Sequence, residues 1–169
     1  MRIKTLTYLV AALFLATACA ETMQDGGAGQ GSGGNQQANT AASSVKPGTG
    51  RDFVVNVGDR VFFEFDKSSL SSDARSQLEK QAAWLKKFGS ISLTLEGHAD
   101  ERGTREYNLA LGERRANSTR DFLVALGVAP NRIKVISYGK ERPAALGQNE
   151  AAWRQNRRAV TIVAGGSGS

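Results

Sequence analysis

Alternating hydrophobic and polar positions predict several short β-strands. Ile91, Leu93 and Leu95 alternate with polar residues, as expected for a strand with one buried face. Comparable alternation, or a short run of β-formers, occurs in four other segments: residues 53–57, 61–66, 133–138 and 159–163. Within the second of these, Phe63 and Phe65 are expected to point towards the same core.

Helical periodicity separates these strands. Apolar residues recur at helical spacing after a serine cap at Ser71 or Ser72, at positions 74, 78, 82 and 85. A longer helix is predicted from about Glu106 to Leu126, where Gly127 ends it, and a short one covers residues 149–156. After an additional short first strand, the order is βαβαβαβ. It predicts an α+β two-layer sandwich with helices on one face of the sheet.

The first 50 residues do not fit this pattern. A short basic start and an apolar run, too short to cross a bilayer, predict a signal peptide over residues 1–18. Cys19, the single cysteine, directly follows it, and the preceding residues resemble a bacterial lipobox that departs from the usual form at Ala16 and Thr17. Cys19 is therefore the expected lipidation site. Residues 19–50 are then a Gly/Ser/Gln-rich flexible tether, residues 51–163 the folded domain, and residues 164–169 a disordered tail.

Composition narrows the functional classes. One cysteine and one histidine exclude an intramolecular disulfide and any two-histidine metal site, so no metal or cofactor is expected. His98, Asp100 and Glu101 lie close together, but no nucleophile–base motif accompanies them, so we predict no enzyme activity and expect His98 to be a packed, hydrogen-bonded loop residue. The chain carries a formal charge of +6, yet its basic residues are interspersed with acids, which argues against nucleic-acid binding.

An arginine on an apolar helix stripe is the clearest break in the pattern. Arg115 lies four residues after Leu111 on the face expected to be buried, and a buried guanidinium needs a partner. Asp100, in the loop before this helix, is the candidate. Such a pair is either a structural ion pair or a receptor for a zwitterion, in which Asp100 takes an ammonium and Arg115 a carboxylate.

Several motifs together resemble the OmpA-like peptidoglycan-binding domain. They are GHADERGT at residues 97–104, YNL at 107–109, LGERRA at 111–116, SYGKERP at 137–143 and NRRA at 156–159. Their order and spacing match the family over residues 61–163. The resemblance implies an OmpA-like fold with a mixed four-stranded sheet.

The resemblance also implies a ligand and a site. The ligand is peptidoglycan, through the free amino-acid head of diaminopimelate in the peptide stem, and the family's Asp and Arg fall on Asp100 and Arg115. Asp66 and Asn108 are expected to line the same pocket, with Arg158 as a supporting residue or a structural ion-pair partner.

Lipid-anchored members of this family imply the cellular setting. The chain is expected on the periplasmic face of the outer membrane, linking that membrane to the cell wall as part of the Tol system and supporting envelope integrity and constriction at cell division. TolB is the implied protein partner and TolA a further candidate. The alternative is a periplasmic protein-binding module in which the Asp100–Arg115 pair is only a structural ion pair.

Overall fold

The computed structural model describes residues 45–164. The predicted signal peptide, Cys19, most of the tether and nearly all of the tail lie outside these residues. Four strands form one mixed sheet: β1 (Arg60–Phe62), β2 (Leu93–His98), β3 (Ile133–Gly139) and β4 (Arg158–Val163). The helices are α1 (Gly50–Asp52), α2 (Ser72–Lys87), α3 (Arg105–Ala125) and α4 (Glu150–Asn156).

The strand order is β1-β4-β2-β3. β2 is parallel to β3, whereas β4 is antiparallel to both of its neighbours. The predicted α+β sandwich with a mixed four-stranded sheet is confirmed. Within the described residues no helix combines the length and the apolar character needed to cross a membrane.

The core lies between the sheet and helices α2 and α3. Leu93 and Leu95 of β2 face it as the alternation predicts, and they pack with Leu78 and Leu85 of α2 and Leu123 of α3. Ser71 caps α2 by accepting a hydrogen bond from the Ala74 backbone N–H at 3.2 Å. Thr104 caps α3 in the same way, through the N–H of Tyr107.

The strand predicted over residues 53–57 is wrong. Phe53–Val57 is instead a π-helical turn that continues from α1 and ends at Gly58, whose φ is +92°. Phe53 is fully buried with its ring 5.0 Å from that of Trp84, while Val54 and Val55 are exposed. The contact of Phe53 with Trp84 of α2 therefore decides the conformation of residues 53–57, and the β-branched residues in this segment do not.

The strand predicted over residues 61–66 is shorter than expected. Pairing with β4 ends at Phe62, and Phe63 is still buried, but Phe65 is 55% exposed. The chain turns at Asp66, the one non-glycine residue with positive φ (58°) among residues 45–164. This turn takes Phe65 away from the core and places it at the rim of a pocket.

Two glycines allow α3 to lie directly on the sheet. A Cβ atom at Gly97 of β2 would be 1.8 Å from the carbonyl oxygen of Gly112 in α3. A Cβ at Gly112 would be 2.4 Å from the Ser137 hydroxyl of β3. The absence of both side chains brings the α3 backbone, and Arg115 one turn further on, against the end of β2.

Candidate functional site

A small cavity opens where β1 and β2 end and α3 begins. Its volume is about 180 Å³, and its lining comes from three chain segments: Phe65 and Asp66; Asp100, Arg102 and Gly103; and Tyr107, Asn108, Leu111 and Arg115. Four of the five predicted binding residues are therefore brought together: Asp66, Asp100, Asn108 and Arg115. A larger groove of about 440 Å³ runs along β1 and the start of α2, and it contains none of them.

Arg115 is held by backbone carbonyls. Its side chain is fully buried, and its Nε donates to Lys67 O at 2.9 Å, its Nη1 to His98 O at 2.8 Å and its Nη2 to Glu64 O at 3.1 Å. Burial lowers the pKa of Arg115 to about 10, against the opposing effect of the Asp100 charge. The guanidinium therefore stays charged at neutral pH, and two of its five N–H groups have no acceptor among the described residues.

Asp100 pairs with other arginines. Arg102 reaches it with Nη2 at 2.6 Å and with Nε and the backbone N–H at 3.2 Å each, and Arg157 Nη1 lies 3.4 Å away. Burial acts to raise the pKa of Asp100, but the hydrogen bonds from Arg102 outweigh it, and the net shift is downward. The predicted ion pair between Asp100 and Arg115 does not form, because Arg115 finds its acceptors in the backbone.

Asp66 supplies a second carboxylate to the cavity. It is exposed and lies in the left-handed backbone region, where a non-glycine residue is strained and often functional. Its Oδ1 accepts a hydrogen bond from the Tyr107 hydroxyl, and this contact raises the pKa of Tyr107. Tyr107 is 46% exposed, so Asp66 and Tyr107 together form part of the cavity rim.

Asn108 shapes the loop that carries Asp100. Its side chain is 1% exposed, and its Nδ2 donates to the carbonyl of Arg102 at 2.8 Å. Gly103, beside it, has a φ of +92°. Asn108 therefore stabilises the turn from which Arg102 reaches back to Asp100.

Arg102 lies between two aromatic rings. Its guanidinium carbon is 4.0 Å from the ring centroids of both Phe65 and Trp153, within cation–π distance. Trp153 of α4 is itself oriented by a hydrogen bond from its Nε1 to the Glu101 carboxylate at 3.0 Å. We call Phe65, Trp153 and the guanidinium between them the aromatic slot.

Comparison with known proteins agrees with this architecture. Residues 62–157 match the OmpA family. The chain belongs to the OmpA family. The resemblance found in its motifs is thereby confirmed.

Within the OmpA family, the chain is similar to proteins named peptidoglycan-associated lipoprotein. The peptidoglycan-associated lipoprotein of Rhizobium meliloti is 57% identical over 128 residues, which cover 76% of this chain and 72% of that protein. The protein of the same name from Pseudomonas aeruginosa is 53% identical over 97 residues, 57% of each chain.

Solved structures share the fold. The crystal structure of the peptidoglycan-associated lipoprotein from Burkholderia pseudomallei superposes with a TM-score of 0.61 at 43% identity, covering 62% of this chain and 89% of that one. The C-terminal domain of Helicobacter pylori MotB has a TM-score of 0.59 at 22% identity, covering 64% and 86%, and supports the fold alone.

Arg158 is not part of the cavity in this OmpA-family domain. Its Nη2 donates to the carbonyl of Arg142 at 3.2 Å, and its Nη1 has no hydrogen-bond partner in the described part of the chain. The neighbouring Arg157 takes the supporting position: its Nε binds Phe63 O at 3.0 Å, its Nη2 binds Glu150 at 2.5 Å, and its Nη1 approaches Asp100. The NRRA motif marks both arginines, but only the folded structure decides which one approaches Asp100.

His98 ends β2 and is not a loop residue. It is 1% exposed, and its ring stacks on Tyr138 with centroids 5.6 Å apart. The expected packing is present, but within residues 45–164 neither ring nitrogen has a hydrogen-bond partner, and the nearest carboxylate oxygen, from Glu96, is 3.6 Å away. Burial, helped by the charges of Arg158 and Arg142, lowers the pKa of His98 to about 3, so the ring is neutral at pH 7.

No group of three or more metal-ligating side chains occurs within residues 45–164. The chemistry of the cavity is instead that of complementary charges. A buried cation with unused donors and two carboxylates surround one small opening.

Proposed function

We propose that this chain is a lipid-anchored protein of the outer membrane that binds peptidoglycan noncovalently, without catalysis, through the free amino-acid head of diaminopimelate. The observation that carries the proposal is the convergence of Arg115, Asp100 and Asp66 on one cavity. A diaminopimelate head carries one carboxylate and one ammonium on the same carbon. Arg115 is oriented to bind the former and the two aspartates the latter.

The size of the cavity supports a head group as the ligand. Its volume of about 180 Å³ is below the ~300–1,000 Å³ typical of sites that enclose a whole drug-sized molecule. Leu111 supplies an apolar wall, and the rest of the stem and the glycan lie outside. Single-site binding is then weak, and a polymeric wall increases retention through rebinding.

The place where the chain enters the domain supports a linking role. Asp52 accepts hydrogen bonds from the Gly48 N–H and the Trp84 Nε1–H, both at 2.8 Å, which fixes the start of the domain to the C-terminal half of α2. The loop after α2 leads into the first residue of β2, whereas the cavity lies beyond the last. The described chain therefore enters the domain at the end opposite the cavity, which suits the proposed tether from Cys19.

Co-sedimentation with purified sacculi tests this function. The full chain in mild detergent is expected to pellet with diaminopimelate-type sacculi, and Asp66→Ala and Asp100→Asn are expected to abolish pelleting. Asp121→Ala, which removes an exposed carboxylate of α3 that is not part of the cavity lining, is the matched control and should pellet like wild type. Circular dichroism of all four proteins verifies folding.

Sacculi that carry lysine in place of diaminopimelate provide a second comparison in the co-sedimentation experiment. Lysine has the ammonium but lacks the side-chain carboxylate, so Arg115 has no partner and pelleting should fall sharply. Equal pelleting with both wall types would contradict recognition of a zwitterion. Failure of wild type to pellet with either wall would reject the function itself.

We further propose that the chain is part of the Tol system and supports envelope integrity and constriction at cell division. TolB is the proposed protein partner, and TolA is a further candidate. The exposed aromatic rings of Phe65 and Tyr107 at the cavity rim favour a protein docking surface that overlaps the wall site. Purified TolB should then reduce sacculus pelleting as its concentration rises. Simultaneous binding of wall and TolB would place the docking surface elsewhere.

A further inference from the structure

Arg102 saturates the carboxylate that the ligand is expected to use. An ionised carboxylate has about four lone-pair positions. Asp100 receives three hydrogen bonds from Arg102, and Arg157 contacts it from the other side at 3.4 Å. In this state Asp100 has no acceptor position left for an incoming ammonium.

Compared with Arg115 and Arg157, Arg102 is the arginine whose side chain can be displaced from Asp100. The Arg115 side chain is fully buried and that of Arg157 is 3% exposed, and both donate buried hydrogen bonds to backbone carbonyls, Arg115 to His98 O and Arg157 to Phe63 O. The Arg102 side chain is 32% exposed, and among the described residues its only hydrogen-bond acceptor is Asp100. Its release therefore leaves no buried carbonyl without a donor.

The aromatic slot can bind the Arg102 side chain after its release from Asp100. Phe65 is 55% exposed, and both rings lie 4.0 Å from the guanidinium carbon. Rotation away from Asp100 can preserve contact with one or both rings. The guanidinium then moves towards solvent, where a cation is well hydrated.

We propose that Arg102 is an internal occupant of the ammonium subsite, and that a ligand with a free ammonium beside a carboxylate binds by displacing Arg102 from Asp100. This inference rests on the function proposed above. Displacement makes binding selective, because only a ligand with its own ammonium can replace the Arg102 guanidinium as a charge partner of Asp100. A stem whose amine is blocked as an amide, as in a cross-link, leaves Arg102 in place and is discriminated against.

Calorimetric titration of the full chain in detergent tests the displacement. The probe is a soluble stem peptide that ends in diaminopimelate with its amine free. Arg102→Gln removes the competing cation and is expected to bind this peptide about three- to tenfold more tightly than wild type, the range expected for release of a partly exposed ion pair. Arg105→Ala is the control, since it removes one exposed cation outside the cavity.

The acetylated peptide separates competition from a structural effect. With its amine acetylated, the peptide cannot replace Arg102 at Asp100, so the gain in Arg102→Gln should vanish. A gain of the same size for both peptides would overturn the proposal, as would weaker or unchanged binding of the free-amine peptide to Arg102→Gln. If wild type binds neither peptide, the proposed function has failed; if wild type binds and only the gain is missing, the displacement alone has failed.

Trp153 fluorescence provides a readout that does not depend on substitution of Arg102. Ligand binding to wild type should move the guanidinium and change the Trp153 emission, and Trp153→Phe should abolish the change. Trp84, held by Asp52 at the far end of α2, is not expected to respond. Unchanged emission at saturating free-amine peptide would show that Arg102 stays in place and would overturn the proposal.

Discussion

At the scale of single residues, Arg115 shows how a fold can bury a guanidinium without a carboxylate. Three carbonyls from two segments, the turn at residues 64–67 and the end of β2, accept hydrogen bonds from it, and the loop after β1 is tied to the end of β2 in return. Arg115 is thus a support for the cavity and also its expected anion receptor. Its removal is expected to affect stability and binding at once.

Arg115→Ala should lower the free energy of unfolding by about 2–4 kcal/mol, because it breaks the buried hydrogen bond to His98 O and the partly buried hydrogen bonds to Lys67 O and Glu64 O. Urea titration measures this loss, and sacculus pelleting of the same variant should fall to background. Arg114→Ala, its exposed neighbour, should change stability by less than about 0.5 kcal/mol. An Arg115→Ala protein with wild-type stability would show that the carbonyls are satisfied in another way.

His98 makes stability depend on pH. Its pKa is about 3 in the folded state and near 6.5 when unfolded, so only the unfolded chain gains the proton between these values. Stability contributed by neutral His98 is complete above pH 6.5 and falls by about 1.4 kcal/mol per pH unit as the pH drops towards 3.

Unfolding titrations at pH 6.5 and 5.5 test this dependence. The carboxylates of Asp52, Asp100 and Glu150 have lowered pKa values, so they titrate at more acidic pH. His98→Phe preserves a ring against Tyr138 but cannot accept a proton. It should lose most of the slope in this interval. An equal slope in wild type and variant would assign the pH dependence to another group.

At the scale of elements, the contact between α3 and β2 sets the position of the cavity. Gly97 and Gly112 let the two backbones approach more closely than any side chain would permit. Because α3 carries Asn108, Leu111 and Arg115, a shift of this helix displaces one whole wall of the site.

Gly97→Ala should therefore reduce both stability and wall binding. Its Cβ would overlap the Gly112 carbonyl oxygen, a backbone atom that cannot move aside alone, and we expect a loss of at least about 2 kcal/mol in urea titration. Gly89→Ala is the matched control: its Cβ comes no closer than 4.0 Å to the nearest atom, so its stability should remain near wild type. Comparable stability of the two variants would mean that the contact can relax.

At the scale of the whole molecule, the domain separates the end that the linker reaches from the end that holds the cavity. The proposed anchoring through Cys19 and the proposed wall binding should then be independent of each other. Cys19→Ser should release the full chain from the membrane fraction of cells without changing sacculus pelleting of the purified protein. Variant chain that stays in the membrane fraction would reveal a second means of attachment.

Much of this organisation follows from the sequence. Leu93 and Leu95 face the core because alternation along a strand is a local property of the chain, and α2 and α3 follow from spacing and caps in the same way. The family resemblance predicted that Asp66, Asp100, Asn108 and Arg115 line one pocket, and all four line the cavity. The π-helical turn at Phe53–Val57 could not be foreseen, because it depends on one ring meeting Trp84 of α2.

The sequence by itself determined the main strands and helices, the charged residues available to the site and the need of Arg115 for a partner. Only the tertiary structure decided which partners were used. Arg115 binds carbonyls 48 and 51 positions away in the chain, and Asp100 takes Arg157 from 57 positions away, together with its near neighbour Arg102. Periodicity describes each residue relative to its neighbours, whereas a guanidinium binds the oxygens that folding brings within about 3 Å.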